Sequence, residues 1–552
     1  MLHSRQLGWW VKGNQEPDLG HEAVHLAIDR VAEPIQVIEF EDQIGVARGG
    51  HIISLDSSVE KPGPPQECFP WIAYVPSLHP ESLGSRDFTH DYGLRYPYVF
   101  GAMANGITST QMVEAAGRAG MLAFFGAAGL SIPQIESAIH DLQGRMAGKP
   151  FGFNLIHSPS DHDLEMETVH LYLKQGIRLI SASAYMDLTL PLVYFRIKGI
   201  REDATGIATP SQKIVAKVSR EEVARKFFAP PPQKFIHQLL ELDWITAQEA
   251  RLAEAIPMAD ALTAEADSGG HTDNRPALTL LPTMISLRDA AMIEYRYRQS
   301  VCVGMGGGIA TPESAAAAFA MGADYLVTGS INQACMEAGT SEAVRQMLSE
   351  AGQADVTMAP AADMFEMGVK VQVLKRGTMF PLRAGKLFDL YTSYDAYEEI
   401  PETQRQILER DFFRRSFLEE WTHTKAFFLN RDPKQVARAE MDPKHQMALV
   451  FRSYLGRSSN WANTGQASRK IDYQIWCGPS IGAFNQWVKG SFLESAQNRN
   501  VVVVALNILL GAAIVSRKQI LRQQGILSSG AHTHIPPREH HELEVLLQSH
   551  RR

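Results

Sequence analysis

Short apolar runs that stop at a small or polar residue, each followed by a helix-like segment, recur eight times between about residues 95 and 330. Most steps between successive run ends are 24 to 37 residues, enough for one strand, one helix and two short loops. The runs are continuously apolar, which is typical of parallel strands covered on both faces. The pattern predicts an α/β fold, a (β/α)8 TIM barrel, with strand ends near Gly101, Gly126, Asn154, Ser183, Lys217, Asp267, Gly304 and Thr328.

One step, from Lys217 to Asp267, is 50 residues long and holds a proline stop and two helical patterns. It predicts a helical insertion at about 226–258, after the fifth strand and on or near the active face, where it is either a lid, a partner surface or a decoration. The other predicted divisions are a small N-terminal β-containing region (1–90), the barrel (91–350), a mainly helical C-terminal region (351–527) and a mobile tail (528–552).

The charge of the chain is balanced, with 53 Lys and Arg against 61 Asp and Glu, a formal net charge of −8. This excludes a large cationic field for nucleic acid. Four cysteines without CxxC spacing indicate neither a metal site nor a disulfide framework, so a reducing cytoplasm is expected. The longest apolar run, 501–515, is shorter than the roughly 18 residues of a membrane span and contains Asn507, so a buried helix is expected.

Active sites of TIM barrels lie where the strands end, and the last two strand ends are rich in glycine. Glycine lets backbone N–H groups approach an anion, and residues 311–313 have the start signals of a helix. These features favour a phosphate site over a bare turn. A Rossmann fingerprint fails because Ile309 stands where its last glycine is required. The proposed phosphate-binding residues are Gly306, Gly307, Gly308, Gly329 and Ser330.

Small residues at the first and sixth strand ends extend this site into room for a broad, flat ligand with one anionic end, and flavin mononucleotide (FMN) fits. Asn154 has an amide that both donates to and accepts from the polar edge of a flavin. Lys217 either stabilises the anionic reduced ring or pairs with a carboxylate. The remaining cofactor-binding candidates are Gly101, Ala102 and Met103 on one side and Gly269 and Gly270 on the other.

Four motifs in barrel order, FGAMANGITS, FGFNL, SGGH and the GGGI and TGS pair, resemble flavin-dependent barrel enzymes that include nitronate monooxygenases and FabK-type enoyl-acyl-carrier-protein reductases. This resemblance covers roughly 90–350. DSGGHTDNRP, VGMGGGIATPESAAAAFAMGADYLVTGS and IDYQIWCGPSIGAFN are more similar to the PfaD type, the trans-acting enoyl reductases of polyunsaturated-fatty-acid and polyketide synthases, over nearly all the chain. The resemblance implies bound FMN, reduction by NADPH, and hydride delivery to the β-carbon of an α,β-unsaturated thioester on an acyl carrier protein.

His271, which follows two glycines, is the candidate catalytic residue. In an enoyl reductase it would stabilise the developing enolate or protonate the α-carbon. The alternative is a histidine that only contacts the flavin or its own loop. Asp273 either orients His271 or caps the next helix, and Cys302 is expected in the core. Residues 272–275 depart from the smaller relatives, which argues against simple transfer of the nitronate-oxidising role.

Two other functions remain open from the sequence: a nitronate monooxygenase-like flavin oxidase, and a non-catalytic docking component of a synthase. The expected partner is an acyl carrier protein, with no nucleic acid and no membrane, and a homodimer stays open. Carrier proteins are usually acidic, so a basic cluster is expected to help docking, either Arg410, Arg414 and Arg415 or Arg296 and Arg298.

Overall fold

The computed structural model describes residues 6–41, 43–54, 68–157, 162–527 and 534–548. The chain divides into two compact units. The first contains residues 1–84, 311–320 and 502–552, and the second contains 85–310 and 321–501.

The second unit is built on a closed barrel of eight strands that pair in parallel. Chain order and spatial order agree, and the barrel closes where Leu326 pairs with Tyr98. The predicted TIM barrel is confirmed, and each predicted strand end lies within two residues of the observed one. The strands are Tyr98–Phe100, Leu122–Phe125, Gly152–Ile156, Leu179–Ser183, Lys213–Val218, Ala261–Glu265, Cys302–Gly306 and Leu326–Thr328.

Large side chains close the end of the barrel at which the strands begin. Phe88 and Tyr325 stack with ring centroids 4.0 Å apart. Gly304 has no room for a side chain, because a Cβ there would lie 2.4 Å from the Tyr325 ring. Cys302 is 4% exposed in this cluster, so its predicted core position is confirmed. The open end of the barrel, where the strands finish, is therefore left for a ligand.

Helices of the second unit connect the strands. Ser109 caps the first of them by accepting from the Met112 backbone N–H, as its sequence predicts. The barrel-associated helices described in this unit are Thr110–Arg118, Ile132–Arg145, His162–Lys174, Leu190–Ile197, Glu221–Phe228, Gln233–Glu241, Ala247–Ala253, Ala277–Tyr295, Ser330–Gln333 and Glu342–Ser349.

The insertion after the fifth strand forms the two expected helices, but they lie at the opposite end of the barrel from the active face. The backbone N–H of Met258 donates to Ala229 at 2.9 Å, and Arg196, near the end of the fourth barrel helix, donates to the Pro257 carbonyl at 3.0 Å. The reason is that Glu221–Phe228 fills the ordinary barrel-helix position and leads the chain away from the mouth before the insertion begins. A lid role is therefore excluded for the insertion.

The C-terminal part of the second unit is mainly helical, as expected, but it also contributes a β-hairpin that the sequence did not predict. Strands Val356–Pro360 and Lys370–Leu374 pair antiparallel, and the second of them pairs with Gly270–His271. This three-stranded sheet joins the C-terminal region to the barrel mouth. The helices that follow are Phe380–Ser393, Glu402–Ile407, Leu408–Phe413, Phe417–Arg431, Pro433–Ala439, Pro443–Thr464 and Ser480–Val488.

The first unit contains a six-stranded sheet, which confirms β structure in the N-terminal region. Its strands are Gly8–Val11, Asp18–Leu19, Ile35–Phe40, Gln43–Val46, His51–Ser54 and Cys68–Val75. The described helices in this unit include His21–Asp29, Pro312–Ala320 and most of Val501–Gln523.

The apolar run near residue 501 forms a helix, Val501–Gln523, that is longer than expected. By length and composition it could cross a membrane, but 72% of its apolar window is buried inside the protein, in agreement with the prediction of a buried helix. Arg517 on this helix is fully buried and donates to the backbone carbonyls of Ala27, Val31, Glu33 and Pro76. These bonds hold the helix against the N-terminal segment.

The predicted mobile tail differs from the observed structure. Residues His540–Gln548 form a helix in which Leu543 is 1% exposed, and Arg538 forms an ion pair with Asp29 at 2.7 Å. Burial of one leucine and one ion pair anchors this segment to the first unit, which the polar composition of the tail conceals. Residues 528–533 and 549–552 of the tail lie outside the described residues.

Candidate active site

The loops after the seventh and eighth strands form an open cradle. The two strands are neighbours, with Gly306 paired to Val327. An added Cβ on Gly308 or Gly329 would meet no atom within 4 Å. The φ of Gly329, −136°, is one that any residue can adopt, so only the space in front of it accounts for a glycine there. A cradle that side chains would fill suits the phosphate of a flavin nucleotide.

Gly307 has a different reason to be glycine. Its φ is +81°, and a Cβ would lie 2.7 Å from the backbone carbonyl of Ala266 in the loop after the sixth strand. Gly306 is tight as well, since its Cβ would lie 3.0 Å from the Thr263 side chain. These two glycines let neighbouring loops pack together and so shape the cradle rather than face it.

The loop after the first strand is fixed by its own hydrogen bonds. Thr108 Oγ1 donates to the Gly101 carbonyl at 2.7 Å and accepts from the Met103 backbone N–H at 2.9 Å. Gly126 allows this fold, because a Cβ there would lie 1.7 Å from the Met103 carbonyl oxygen. Gly101, Ala102 and Met103 are all partly exposed, so backbone lines the mouth at this point.

Asn154 is 5% exposed at the end of the third strand. Its Nδ2 donates to the Ser181 carbonyl and to Ser183 Oγ, both at 3.3 Å, which is long for such bonds. No described residue donates to its Oδ1. The side chain is therefore held by the fourth strand while its carbonyl oxygen stays available to a ligand N–H.

Lys217 pairs with Glu265 at 2.5 Å, so the carboxylate partner considered as the alternative is present. Glu265 also accepts from Ser268 Oγ at 3.0 Å. The ammonium group has three donors and its side chain is 28% exposed, so this pairing leaves it able to contact a bound ring.

The two glycines before His271 serve different purposes. A Cβ on Gly269 would lie 2.6 Å from Cys477 Cα, so the segment around Cys477, and not a flavin, accounts for this glycine. Gly270 has a φ of +79° and open space where a side chain would be. The sequence predicts that both glycines clear room for a ligand, and only Gly270 keeps that role.

His271 Nε2 lies 3.2 Å from Asp363 Oδ1, and the two side chains are 34% and 44% exposed. Burial lowers the pKa of His271, but the hydrogen bond to Asp363 and its negative charge outweigh this and raise the pKa above its usual value. Burial likewise raises the pKa of Asp363, and the contact with His271 more than reverses it. The pair thus favours a protonated, donating imidazole.

Gln372 and Asn274 hold this loop from the side. Gln372 is 6% exposed and donates to Asp267 Oδ1 and to the Ser268 carbonyl, both at 2.8 Å. Asn274, at a φ of +50°, donates to the same Asp267 oxygen at 2.7 Å. Asp363, Gln372 and Cys477 were missed by the sequence reasoning because about 100 to 200 residues separate them from the loop they support.

Asp273 takes neither predicted role. Arg220 donates to both of its oxygens at 2.9 Å, and Ser219 Oγ donates at 2.5 Å. The helix that follows begins at Ala277 after Pro276 and has no side-chain cap. A bidentate arginine pair is the stronger partner for a carboxylate, and it ties the loops after the fifth and sixth strands together.

The predicted basic docking clusters are already partnered or lie away from the mouth. Arg410 pairs with Asp411, Arg414 donates to the Ser468 carbonyl, and Arg415 lies 3.5 Å from Glu420. Arg296 and Arg298 come just before the seventh strand, at the end where strands begin. Among the described residues, no group of three or more His, Cys, Asp or Glu could hold a metal ion.

Comparison with known proteins identifies the family. Residues 87–384, more than half of the 552, match the family described as nitronate monooxygenase. The chain belongs to the nitronate monooxygenase family. Membership implies a bound flavin, and the cradle at Gly308 and Gly329 fits one. Residues 394–473 separately match the inserted helical domain of acyl-carrier-protein S-malonyltransferase.

Within this family, the chain is similar to proteins of polyketide and fatty acid synthesis. It is 46% identical to a polyunsaturated fatty acid synthase component of Thraustochytrium sp. over 80% of its length, and 44% identical to polyketide biosynthesis protein PksE of Bacillus subtilis over 80%. It spans 30% and 57% of those relatives. The enoyl reductase domain of MlnA from the macrolactin cluster of Bacillus amyloliquefaciens matches with a TM-score of 0.76 and 40% identity, over 81% of this chain and 100% of that domain.

Proposed function

We propose that the chain is an FMN-dependent, NADPH-consuming enoyl thioester reductase. It acts in trans on α,β-unsaturated intermediates that an acyl carrier protein carries during polyketide or polyunsaturated fatty acid synthesis. The observation that carries the proposal is His271, paired with Asp363 at the mouth that also holds the open cradle. The similarity to the MlnA enoyl reductase domain over its full length favours this substrate class.

The residues at the mouth fit FMN. Gly308 and Gly329 leave space for its phosphate, and Gly270 leaves space beside the ring. Asn154 offers an acceptor and Lys217 a positive charge, both partly fixed by neighbouring groups. Bound FMN supplies the hydride that it has taken from NADPH and that reaches the β-carbon of the substrate.

His271 serves the other half of the reduction. Negative charge develops on the thioester oxygen as the β-carbon receives hydride, and a protonated imidazole donates a hydrogen bond to it or a proton to the α-carbon. The raised pKa of His271 keeps more of the imidazole protonated near neutral pH. Asp363 is a positioning residue, because it acts on the substrate only through His271.

The helical region 394–473 supports a carrier-protein partner. It matches a domain inserted in an enzyme that is named for its acyl carrier protein substrate. The relatives are named for polyunsaturated fatty acid synthesis and polyketide biosynthesis, which fits the carrier-bound substrate that the sequence resemblance implies. Carrier contact is therefore assigned to this region rather than to the partnered arginine clusters.

The test of this function is NADPH oxidation by the FMN-loaded protein with crotonyl pantetheine. We expect consumption of NADPH that depends on the enoyl thioester and yields the saturated product. A protein that cannot be loaded with FMN, or one that oxidises NADPH only with oxygen, would overturn the proposal. The second candidate, a nitronate oxidase, is favoured by the family match alone, and oxygen uptake with a nitronate in the absence of NADPH would identify it.

A further inference from the structure

A second histidine lies at the barrel mouth, outside the proposed catalytic group. His157 directly follows the third strand, and its backbone N–H donates to the Ser183 carbonyl at 3.2 Å. Ser183 Oγ in turn accepts from Asn154. His157 is therefore a near neighbour of a residue assigned to the cofactor, and three strands away from His271 around the barrel.

A buried carboxylate holds this histidine. Glu165 is 5% exposed and lies 3.2 Å from His157 Nδ1 through Oε2. The hydroxyl groups of Tyr185, at 2.8 Å, and Thr189 donate to its other oxygen. Burying a carboxylate is costly unless donors surround it, so a site with three such donors is a built feature of the mouth.

The backbone beside this group is strained. Ala184, between Ser183 and Tyr185, has a φ of +61°, which alanine rarely adopts. The strain places Tyr185 so that its hydroxyl reaches Glu165 and its ring stacks on His157, with centroids 5.6 Å apart. Such strain persists where the surrounding structure needs one geometry, and it gathers at functional sites.

The geometry determines which atom of His157 can contact a ligand. Because Glu165 accepts from two hydroxyl groups, it acts as an acceptor towards Nδ1–H as well. That fixes the tautomer and leaves Nε2 as the nitrogen to which no described residue bonds. The side chain is 18% exposed, so Nε2 is reachable from the mouth.

We propose that His157 binds the pantetheine arm of the substrate thioester through Nε2, which accepts a hydrogen bond from an amide N–H of the arm. Glu165, Tyr185 and Thr189 are the positioning residues. The inference rests on the proposed function, since it names how that substrate is recognised. Charge selects the ligand: Glu165 is an acceptor-only group, and the nearby cations Lys217 and Lys226 pair with Glu265 and Asp187. A neutral arm suits this side of the mouth better than a nicotinamide phosphate.

Binding of butyryl pantetheine, a saturated and unreactive thioester, to the FMN-loaded protein tests the inference by isothermal titration calorimetry. We expect His157→Ala and His157→Gln to weaken binding by about tenfold, which corresponds to the loss of one net hydrogen bond. Glu165→Gln should weaken it by a smaller factor. His140→Ala, on the exposed face of an outer barrel helix, is the matched control and should bind like the unaltered protein.

Steady-state kinetics separates this role from others. In His157→Ala the KM for crotonyl pantetheine should rise about tenfold with little change in kcat, while S-ethyl crotonothioate, which lacks the arm, should be unaffected. Unchanged binding of butyryl pantetheine, loss of FMN, or a fall in kcat alone would each overturn the inference. If the unaltered protein binds butyryl pantetheine through His157 but reduces no enoyl thioester, the proposed function fails and the inference stands.

Discussion

Replacing Asp363 by asparagine removes the negative charge that faces His271 Nε2 at 3.2 Å and keeps a side chain of the same size. Because Asp363 raises the pKa of His271, the substitution should lower that pKa. Lys217, which lowers the pKa, and Glu265, which raises it, remain in place. The step that needs protonated His271 should therefore fail at a lower pH than in the unaltered protein.

The expected size of this shift follows from exposure. Both side chains are at least a third exposed, at 34% and 44%, so solvent screens the pair. Exposed ion pairs contribute about 0.2 to 1 kcal/mol, and one pKa unit corresponds to about 1.36 kcal/mol. The pKa of His271 should fall by about 0.2 to 0.7 units.

The assay is the pH dependence of kcat/KM for crotonyl pantetheine, with a histidine-resolved NMR titration of the same proteins. The basic limb should move to lower pH by the same amount as the His271 titration. Asp289→Asn, an exposed carboxamide on the helix after the sixth strand, is the control and should leave both curves in place. A basic limb that does not move, although the His271 titration does, would refute His271 as the acid.

Two further predictions concern cofactor retention and the first unit. Gly329→Val should lose FMN by more than about tenfold in affinity with an unchanged melting temperature, because its side chain enters open space, whereas Gly307→Ala should destabilise the fold by about 1 to 3 kcal/mol, because its Cβ meets the Ala266 backbone. Flavin fluorescence and thermal unfolding measure both, and equal loss of stability in the two variants would contradict the cradle. Leu543→Ala should lower the free energy of unfolding by about 2 to 5 kcal/mol, since that leucine is 1% exposed; a change below about 0.5 kcal/mol would show that the helix His540–Gln548 is not docked.

The barrel could be predicted because its information is local. Each strand end carries its own small residue, and the glycines at 306–308 and 329 stand directly beside the strands that position them. Those signals survive without any knowledge of what packs against them. The fold, the cradle and His271 were therefore accessible from the sequence.

The supports of the site were not accessible, because they depend on contacts between distant parts of the chain. Asp363 and Gln372 reach His271 and Asp267 only after a C-terminal hairpin pairs with Gly270–His271. Gly269 illustrates the same limit: its sequence context indicates space for a ligand, whereas the backbone of Cys477 fills that space. A short polar hairpin has no apolar pattern that announces its partner.

The absorption spectrum of the FMN-loaded protein during turnover tests the central claim most directly. We expect NADPH to bleach the flavin band in the absence of oxygen, and crotonyl pantetheine to restore it in proportion to the saturated product formed. Reoxidation by oxygen but not by the enoyl thioester, with no saturated product, would contradict an enoyl thioester reductase.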